Sequence, residues 1–336
     1  MRLLFNKCIW IFILLPMLNA CERAEKAVVL PPKPSDSLKL FQVNLGENYE
    51  NQVYINFLDS NFITATIKNK DWDLAFDCSF ESSRIFMNGG KGVFIGVLGR
   101  SNFLTRVDIN NVKWRWDEAS GGDSIVLKNW CNSISRKSYD SIYIIDRGID
   151  SGPEKRYFQF RINYGTFGTY VLEAADLNGK KLFTAFLNKD PYKAQVYLDF
   201  GKPQALNFEP RINDWQFCFL RARWIYYEFN PALIYTVTGI HINSRNVSVS
   251  VDSSLTFETI SKRDIDGLRF STKRDVMGFD WKVYDFNQGH FNTRKYVNYI
   301  FKFKGPNPKY FKLRFTSYYS NKGLKGSPKF EVMEIH

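Results

Sequence analysis

Five cysteines and three histidines are the side chains through which this 336-residue chain could form covalent or coordinate bonds. Cys21 has the most specific setting. It closes the run Leu18-Asn19-Ala20-Cys21, behind the basic residues Arg2 and Lys7 and the apolar stretch CIWIFILLPML over 8–18. That stretch is short for a bilayer span and reads as the apolar region of a signal peptide covering 1–20. A large apolar residue three before the cysteine and a small one directly before it form a bacterial lipoprotein box. There the thiol is diacylated, the cysteine becomes the N-terminus, and its amine is acylated in turn. Three acyl chains exceed the two signals that stable anchoring requires. The alternative is cleavage after LNA by an ordinary signal peptidase. Glu22 stands where an aspartate would retain a lipoprotein at the inner membrane, so the expected address is the outer membrane, with Cys21 carrying the lipid. Residues 21–38, which include Pro31, Pro32 and Pro34, read as an extended tether.

Cys78, Cys131 and Cys218 are an odd set without C-x-x-C spacing, which argues against a metal or redox motif. One disulfide with one free thiol and three buried small hydrophobes both stay open. His241 lies in TGIHINS, where Ile240 and Ile242 take one strand face and the imidazole the other, the pattern of a strand-surface histidine. His290 lies in the polar stretch DFNQGHFNTRKY, the setting of a solvent-exposed loop histidine. Met87 and Met277 read as core packing. No G-x-S-x-G, H-E-x-x-H, P-loop or dinucleotide fingerprint is present. A carboxylate pair assembled by the fold would be the remaining route to catalysis, with Asp117 after WRW its first candidate. Asp71, Asp73 and Asp214 flank tryptophan strands and read as turn or sheet-edge caps. The expectation is a protein that binds and does not catalyse.

The elements that must position these residues are strands. Aromatic residues make up 17% of the chain, which favours pleated over helical structure. QVYINF at 52–57 returns as QVYLDF at 195–200, and each is followed at the same distance by a tryptophan strand, DWDLAF from Asp71 and DWQFCF from Asp214. In the first phrase Val53, Ile55 and Phe57 share one face, and Gln52, Tyr54 and Asn56 the other. Downstream, SRIFMNGGKGVFIG (83–96) and YTVTGIHINSRNVSVSV (235–251) each place turn residues between alternating runs, the signature of a hairpin. A third tryptophan strand, FDWKVYDF (279–286), lacks a QVY partner. The spacing is too long for a solenoid and points to duplication of a β-unit.

Positive charge gathers at the C-terminal end. Residues 291–330 hold ten lysines and arginines and no acid, within a chain of net charge +12. Alternation in YIFKFK and YFKLRF turns Lys302, Lys304, Lys312 and Arg314 to one face, opposite Phe301, Phe311 and Leu313. Such a basic face would suit carboxylates, phosphates or an acidic partner loop. A solvated strand face whose lysines block edge aggregation is the plainer alternative. Nucleic acid is not an expected partner of an outer-membrane lipoprotein.

DWDLAF with its downstream turn, EPRINDWQFCF with YTVTGIHIN, and the ending KYVNYIFKFKG…KYFKLRFTSYYSNKGLKGSPKFEVMEI resemble the HmuY family of outer-membrane lipoproteins. The resemblance extends over about 40–336. It implies an all-β protein that captures heme, held between two axial side chains, and passes it to a TonB-dependent receptor. It makes His290 and His241 the candidate iron ligands, and Lys302, Lys304, Lys312 and Arg314 a candidate ligand-binding face. The motif residues are core and turn positions, so they specify a fold better than a ligand. The expected organisation is all-β with antiparallel sheets and few or no helices after the signal peptide. A first, abbreviated HmuY-like unit with connecting strands is expected over 39–150, and a complete module over 151–336. The competing function is a surface β-sandwich that binds glycan or protein without heme.

Overall fold

Alternation of apolar and polar side chains dictates strands almost everywhere in a computed structural model that describes residues 38–336 apart from Ser101 and Asp123. Cys21, the signal peptide and nearly all of the tether lie outside the described residues. The first copy of the repeat runs through β1 (Lys39–Gln42), β2 (Asn51–Ile55), β3 (Ile63–Lys68), β4 (Leu74–Asp77), β5 (Ile85–Met87), β6 (Phe94–Arg100), β7 (Ser141–Asp146), β8 (Tyr157–Tyr164) and β9 (Tyr170–Ala175). The second runs through β10 (Lys181–Leu187), β11 (Gln195–Asp199), β12 (Lys202–Leu206), β13 (Phe217–Tyr226), β14 (Leu233–Ile242), β15 (Val247–Asp252), β16 (Lys282–Asp285), β17 (His290–Thr293), β18 (Asn298–Phe303), β19 (Tyr310–Tyr319) and β20 (Lys325–Ile335). Among the described residues the helices are short 3-10 turns, the longest being Lys262–Gly267. The all-β, antiparallel reading of the sequence holds.

The strands form four main sheets, and their orders reveal what the repeat builds. The outer sheets are β10-β9-β8-β7-β6 and β1-β20-β19-β18-β15; the inner sheets are β12-β11-β4-β5 and β14-β13-β2-β3. Each QVY strand therefore pairs with the tryptophan strand of the other copy. Ile55 lies opposite Phe217 and Val53 opposite Phe219, while Leu198 lies opposite Leu74 and Val196 opposite Phe76. The same exchange occurs in the outer sheets, where β1 adds to β20 and β10 adds to β9. Each core is thus built from both copies. Val53, Ile55, Phe57, Phe217, Phe219 and Trp281 fill one with Phe301 and Phe315. Leu74, Phe76, Val196, Leu198 and Phe200 fill the other with Phe160 and Leu172. Each such side chain contributes roughly 1.5–3 kcal/mol when fully buried, so neither copy completes a core without its sister.

Two organisational expectations change. A boundary at residue 150 would cut the ladder between β7 and β8, and the copies instead meet in the β9–β10 turn around Asn178-Gly179. The first copy has nine strands and is not abbreviated; the β16–β17 hairpin has no counterpart in it. The two downstream phrases are also not hairpins. β5 and β14 belong to inner sheets, whereas β6 and β15 belong to outer ones, so the turn residues make corners between layers. Asn88 fixes one corner, its Nδ2 donating to the carbonyls of Asn69 (2.6 Å) and Trp72 (2.8 Å). Asn243 fixes the other in the same way, on Ile212 (2.7 Å) and Trp215 (3.1 Å). Gly90 is needed at the first corner because a Cβ there would meet the Arg221 carbonyl oxygen at 2.3 Å.

Candidate ligand cleft

Period-two alternation gives every inner strand a second face, and the second faces of the two inner sheets meet at the centre of the molecule. Tyr54 and Tyr197, 143 positions apart, touch through their hydroxyls at 3.1 Å. Each ring packs edge-on against the tryptophan of the other copy, Tyr54 on Trp215 at 5.0 Å and Tyr197 on Trp72 at 5.1 Å. Gln52 joins them, accepting from Trp72 Nε1 (3.2 Å) and donating to the Tyr54 hydroxyl (2.7 Å). Tyr197 donates to Glu209 Oε2 (2.6 Å), and Glu209 Oε1 accepts from the backbone N–H groups of Ala194 (2.7 Å) and Gln195 (3.2 Å). Burial pushes the Glu209 carboxyl up to about 7, against the pull of these donors.

Beside this polar floor the sheets leave a cleft of about 320 Å³, at the small end of the roughly 300–1,000 Å³ typical of ligand pockets. Trp72, Phe86, Trp215, Cys218 and His241 line it together with Arg84, Arg221, Arg223, Arg245 and Arg274. His241 is held on β14 opposite Cys218 of β13. Its Nε2 is buried and lacks a hydrogen-bond partner. Burial, and then the charge of Arg274, pushes its pKa well below the ordinary histidine value. The ring is therefore neutral, the form in which imidazole offers a lone pair to a metal. Two further buried donors in the cleft, Trp215 Nε1 and Arg223 Nη1, also lack partners. An unpaired buried polar atom costs about 1–3 kcal/mol, so each of the three is a place where a ligand atom would be stabilising.

The charge of the cleft is distinctive. Arg147, Arg156, Arg161 and Arg314 each pair with an Asp or Glu elsewhere in the molecule. Among the described residues, none of the five cleft arginines has a carboxylate within 4.0 Å. Asp117 also lines the cleft, and its oxygens accept from Met87 N (2.8 Å) and Val126 N (2.8 Å). It therefore pins β5 to the segment at Val126, while burial raises its pKa.

The duplication also diverged here. Ala75 and Phe86 form a register pair in one inner sheet; Cys218 and His241 form the matching pair in the other. At this matched pair an imidazole and a thiol thus come from the second copy alone. Burial raises the Cys218 thiol well above its usual range, so it is a neutral thiol. Cys78, Cys131 and Cys218 are all free and buried.

Of the candidate iron ligands and basic-face residues read from the sequence, only His241 lines this cleft. His290 begins β17 on the β16–β17 hairpin, its ring nitrogens 3.3 Å from Gln288 O and 3.2 Å from Asn292 Oδ1. The structure therefore does not bring the two histidines into one site. The expected open basic face is broken as well. Lys312 is buried beneath the segment after β15, its Nζ donating to Ile260 O at 2.9 Å, and burial lowers its pKa. Arg314 pairs with Glu258 (2.8 Å) and Glu331 (2.7 Å). Lys302 lies against the Phe270 ring at 5.6 Å, which leaves Lys304 as the exposed member. Two of the cleft arginines have a sequence signal in FCFLRARW, where Arg221 and Arg223 interrupt a strand that is otherwise apolar.

A family model described as HmuY protein matches residues 48–332, nearly the whole described chain. No curated protein matches the sequence. Among the described residues, no helix is long and apolar enough to cross a membrane.

Proposed function

The chain belongs to the HmuY family, which is associated with heme binding, and from that premise we propose that the cleft between the inner sheets captures heme or a related porphyrin. The carrying observation is His241 Nε2, a buried and unpartnered nitrogen on a neutral ring facing an aromatic cleft. Flat rings are supplied by Trp72, Phe86 and Trp215, which suit the face of a macrocycle. Unpaired arginines suit its carboxylates. His241 would be the iron donor, and with Phe86 at the matching position of the other copy the cleft offers one imidazole. The task is capture and release: the protein holds its cargo without transforming it. Lipidation of Cys21 would keep it at the outer membrane, where a TonB-dependent receptor would accept the cargo.

Hemin titration of the mature chain carrying Cys21→Ser tests this reading by absorbance. A saturable Soret shift is expected, lost in His241→Ala and kept in His290→Ala. A spectrum identical to free hemin would overturn it, as would loss of the shift in His290→Ala alone. A glycan-array signal without any Soret shift would favour the glycan-binding alternative.

A further inference from the structure

Arg84 and Arg274 share one aromatic ring. Their guanidinium carbons lie 5.4 and 4.3 Å from the centroid of Phe86, the residue matched to His241 in the duplication. Each is held by a neutral carbonyl, Arg84 Nη2 by Gly122 O at 3.1 Å and Arg274 Nε by Ala119 O at 2.7 Å. A guanidinium carries five N–H donors, so most of each fork remains for something else. Two like charges gathered on one ring repel, and because Arg84 is exposed while Arg274 is half-buried, water screens the repulsion chiefly from one side. Burial lowers the Arg274 pKa, the charges of Asp117 and Asp275 oppose that fall, and the charge of Arg84 adds to it.

The surrounding chain keeps this unfavourable pair in place. Ile242 N donates to Arg274 O at 2.7 Å, which fixes Arg274 against β14 beside His241. Gly121, at φ +60°, lets the loop lie on the guanidinium, since a Cβ there would meet Arg274 Nε at 2.7 Å. Asp117 and Asp275 act on Arg274 from beyond ion-pair distance, and each Asp117 oxygen already accepts from a backbone N–H group. Two fork-shaped donors over one ring, next to an unpartnered imidazole, match a planar oxyanion attached to a planar ring system.

We infer that Arg84 and Arg274 form a carboxylate-reading subsite beside His241, so that the cleft selects aromatic ligands bearing carboxylates whether or not they hold a metal. The inference rests on the cleft being the ligand site, and it adds that charge recognition is separate from iron ligation.

The test uses the mature chain with Cys21→Ser and three probes. These are metal-free protoporphyrin IX, its dimethyl ester, and 2-naphthoate with 2-naphthalenemethanol as the uncharged control. Quenching of tryptophan fluorescence should show the diacid binding at least tenfold more tightly than the diester. Arg84→Gln should weaken the diacid tenfold or more and leave the diester unchanged. Arg274→Lys, which keeps the charge but loses the fork, should fall between. Melting temperature checks that each variant is folded. Equal binding of diacid and diester, or variants that weaken both alike, would overturn the inference even if hemin gives a His241-dependent Soret shift. Binding of the metal-free diacid with the expected ratio, without any His241 effect on hemin, would sink iron ligation and uphold the subsite. Should no porphyrin bind, stabilisation by 2-naphthoate that disappears in Arg84→Gln upholds it, and absence of that stabilisation overturns it.

Discussion

Asp73 and Gln216 hold matching places in the two copies, yet one is charged and the other neutral. Asp73 N donates to Leu198 O (2.8 Å) and its Oδ2 accepts from Phe200 N (2.8 Å). Gln216 N donates to Ile55 O (2.8 Å) and its Oε1 accepts from Phe57 N (3.0 Å). Either oxygen satisfies the backbone donor at the end of the neighbouring QVY strand. The carboxylate, however, also needs cations, and it has gathered Lys91 Nζ (2.6 Å) and Arg147 Nε (2.7 Å), with Arg147 reaching on to Asp199. Gln216 asks only for Asn56 Oδ1, at 3.1 Å. The difference teaches that the fold fixes the hydrogen bond and leaves the charge free to vary, provided the neighbourhood varies with it. Asp73→Ala strands Lys91 and leaves Arg147 with Asp199 alone, and should cost about 3–5 kcal/mol in urea unfolding. Gln216→Ala should cost about 1–3 kcal/mol. A larger loss from Gln216→Ala would break the comparison.

The second copy carries a buried acid of its own, Glu209, stabilised by N–H and O–H donors and, among the described residues, by no cation at ion-pair distance. Its folded pKa, pushed up by burial to about 7, lies above its ordinary 4.5. The folded protein therefore binds this proton more tightly than the unfolded chain. Its contribution to stability is fully present below about pH 4.5 and is lost as pH rises through about 7. Across that window wild type should lose roughly 3 kcal/mol relative to Glu209→Gln, read from urea midpoints at successive pH values. Parallel pH profiles for the two proteins would show that Glu209 is not the titrating group.

How far the sequence carries can be judged from these residues. QVYINF and QVYLDF reveal the duplication, and alternation assigns Val53, Ile55 and Phe57 to one core face correctly. Strand exchange between the copies was not legible, because pairing is a non-local choice that a strand's own pattern does not encode. Alternation also identifies two faces without saying what covers the second. His241 and Lys312 were both read as outward on a strand. An inner sheet covers the first and the segment after β15 covers the second. The arginine subsite was hidden for the same reason: Arg84 and Arg274 are remote in sequence and meet only because Phe86 lies between them.

The corner asparagines sharpen the comparison, since here the copies agree. Asn88 and Asn243 each donate to two carbonyls of the segment before a tryptophan strand, and each backbone N–H bonds the residue after that tryptophan, Asp73 or Gln216. Asn88→Ala and Asn243→Ala should each cost about 1–3 kcal/mol and differ from one another by less than that cost. A large inequality in their melting temperatures would mean that one corner is held by its surroundings instead.

The tyrosine pair supplies the finest distinction, because two matched hydroxyls have unequal neighbours. When Glu209 is ionised Tyr197 donates to it, so in the Tyr54–Tyr197 contact Tyr197 is left to accept and Tyr54 donates. Tyr54→Phe removes a neutral hydrogen bond and deprives Gln52 Nε2 of its acceptor, a loss of about 1 kcal/mol. Tyr197→Phe removes the donor from a buried carboxyl and should cost about 1.5–3 kcal/mol once Glu209 is ionised. The Tyr197 bond lowers the Glu209 pKa, so its removal should move the upper end of the pH window above about 7, whereas Tyr54→Phe should leave that end in place. Equal pH profiles for the two variants would place the proton between the tyrosines and not on the carboxyl, and the two copies would then share the charge that the geometry gives to one.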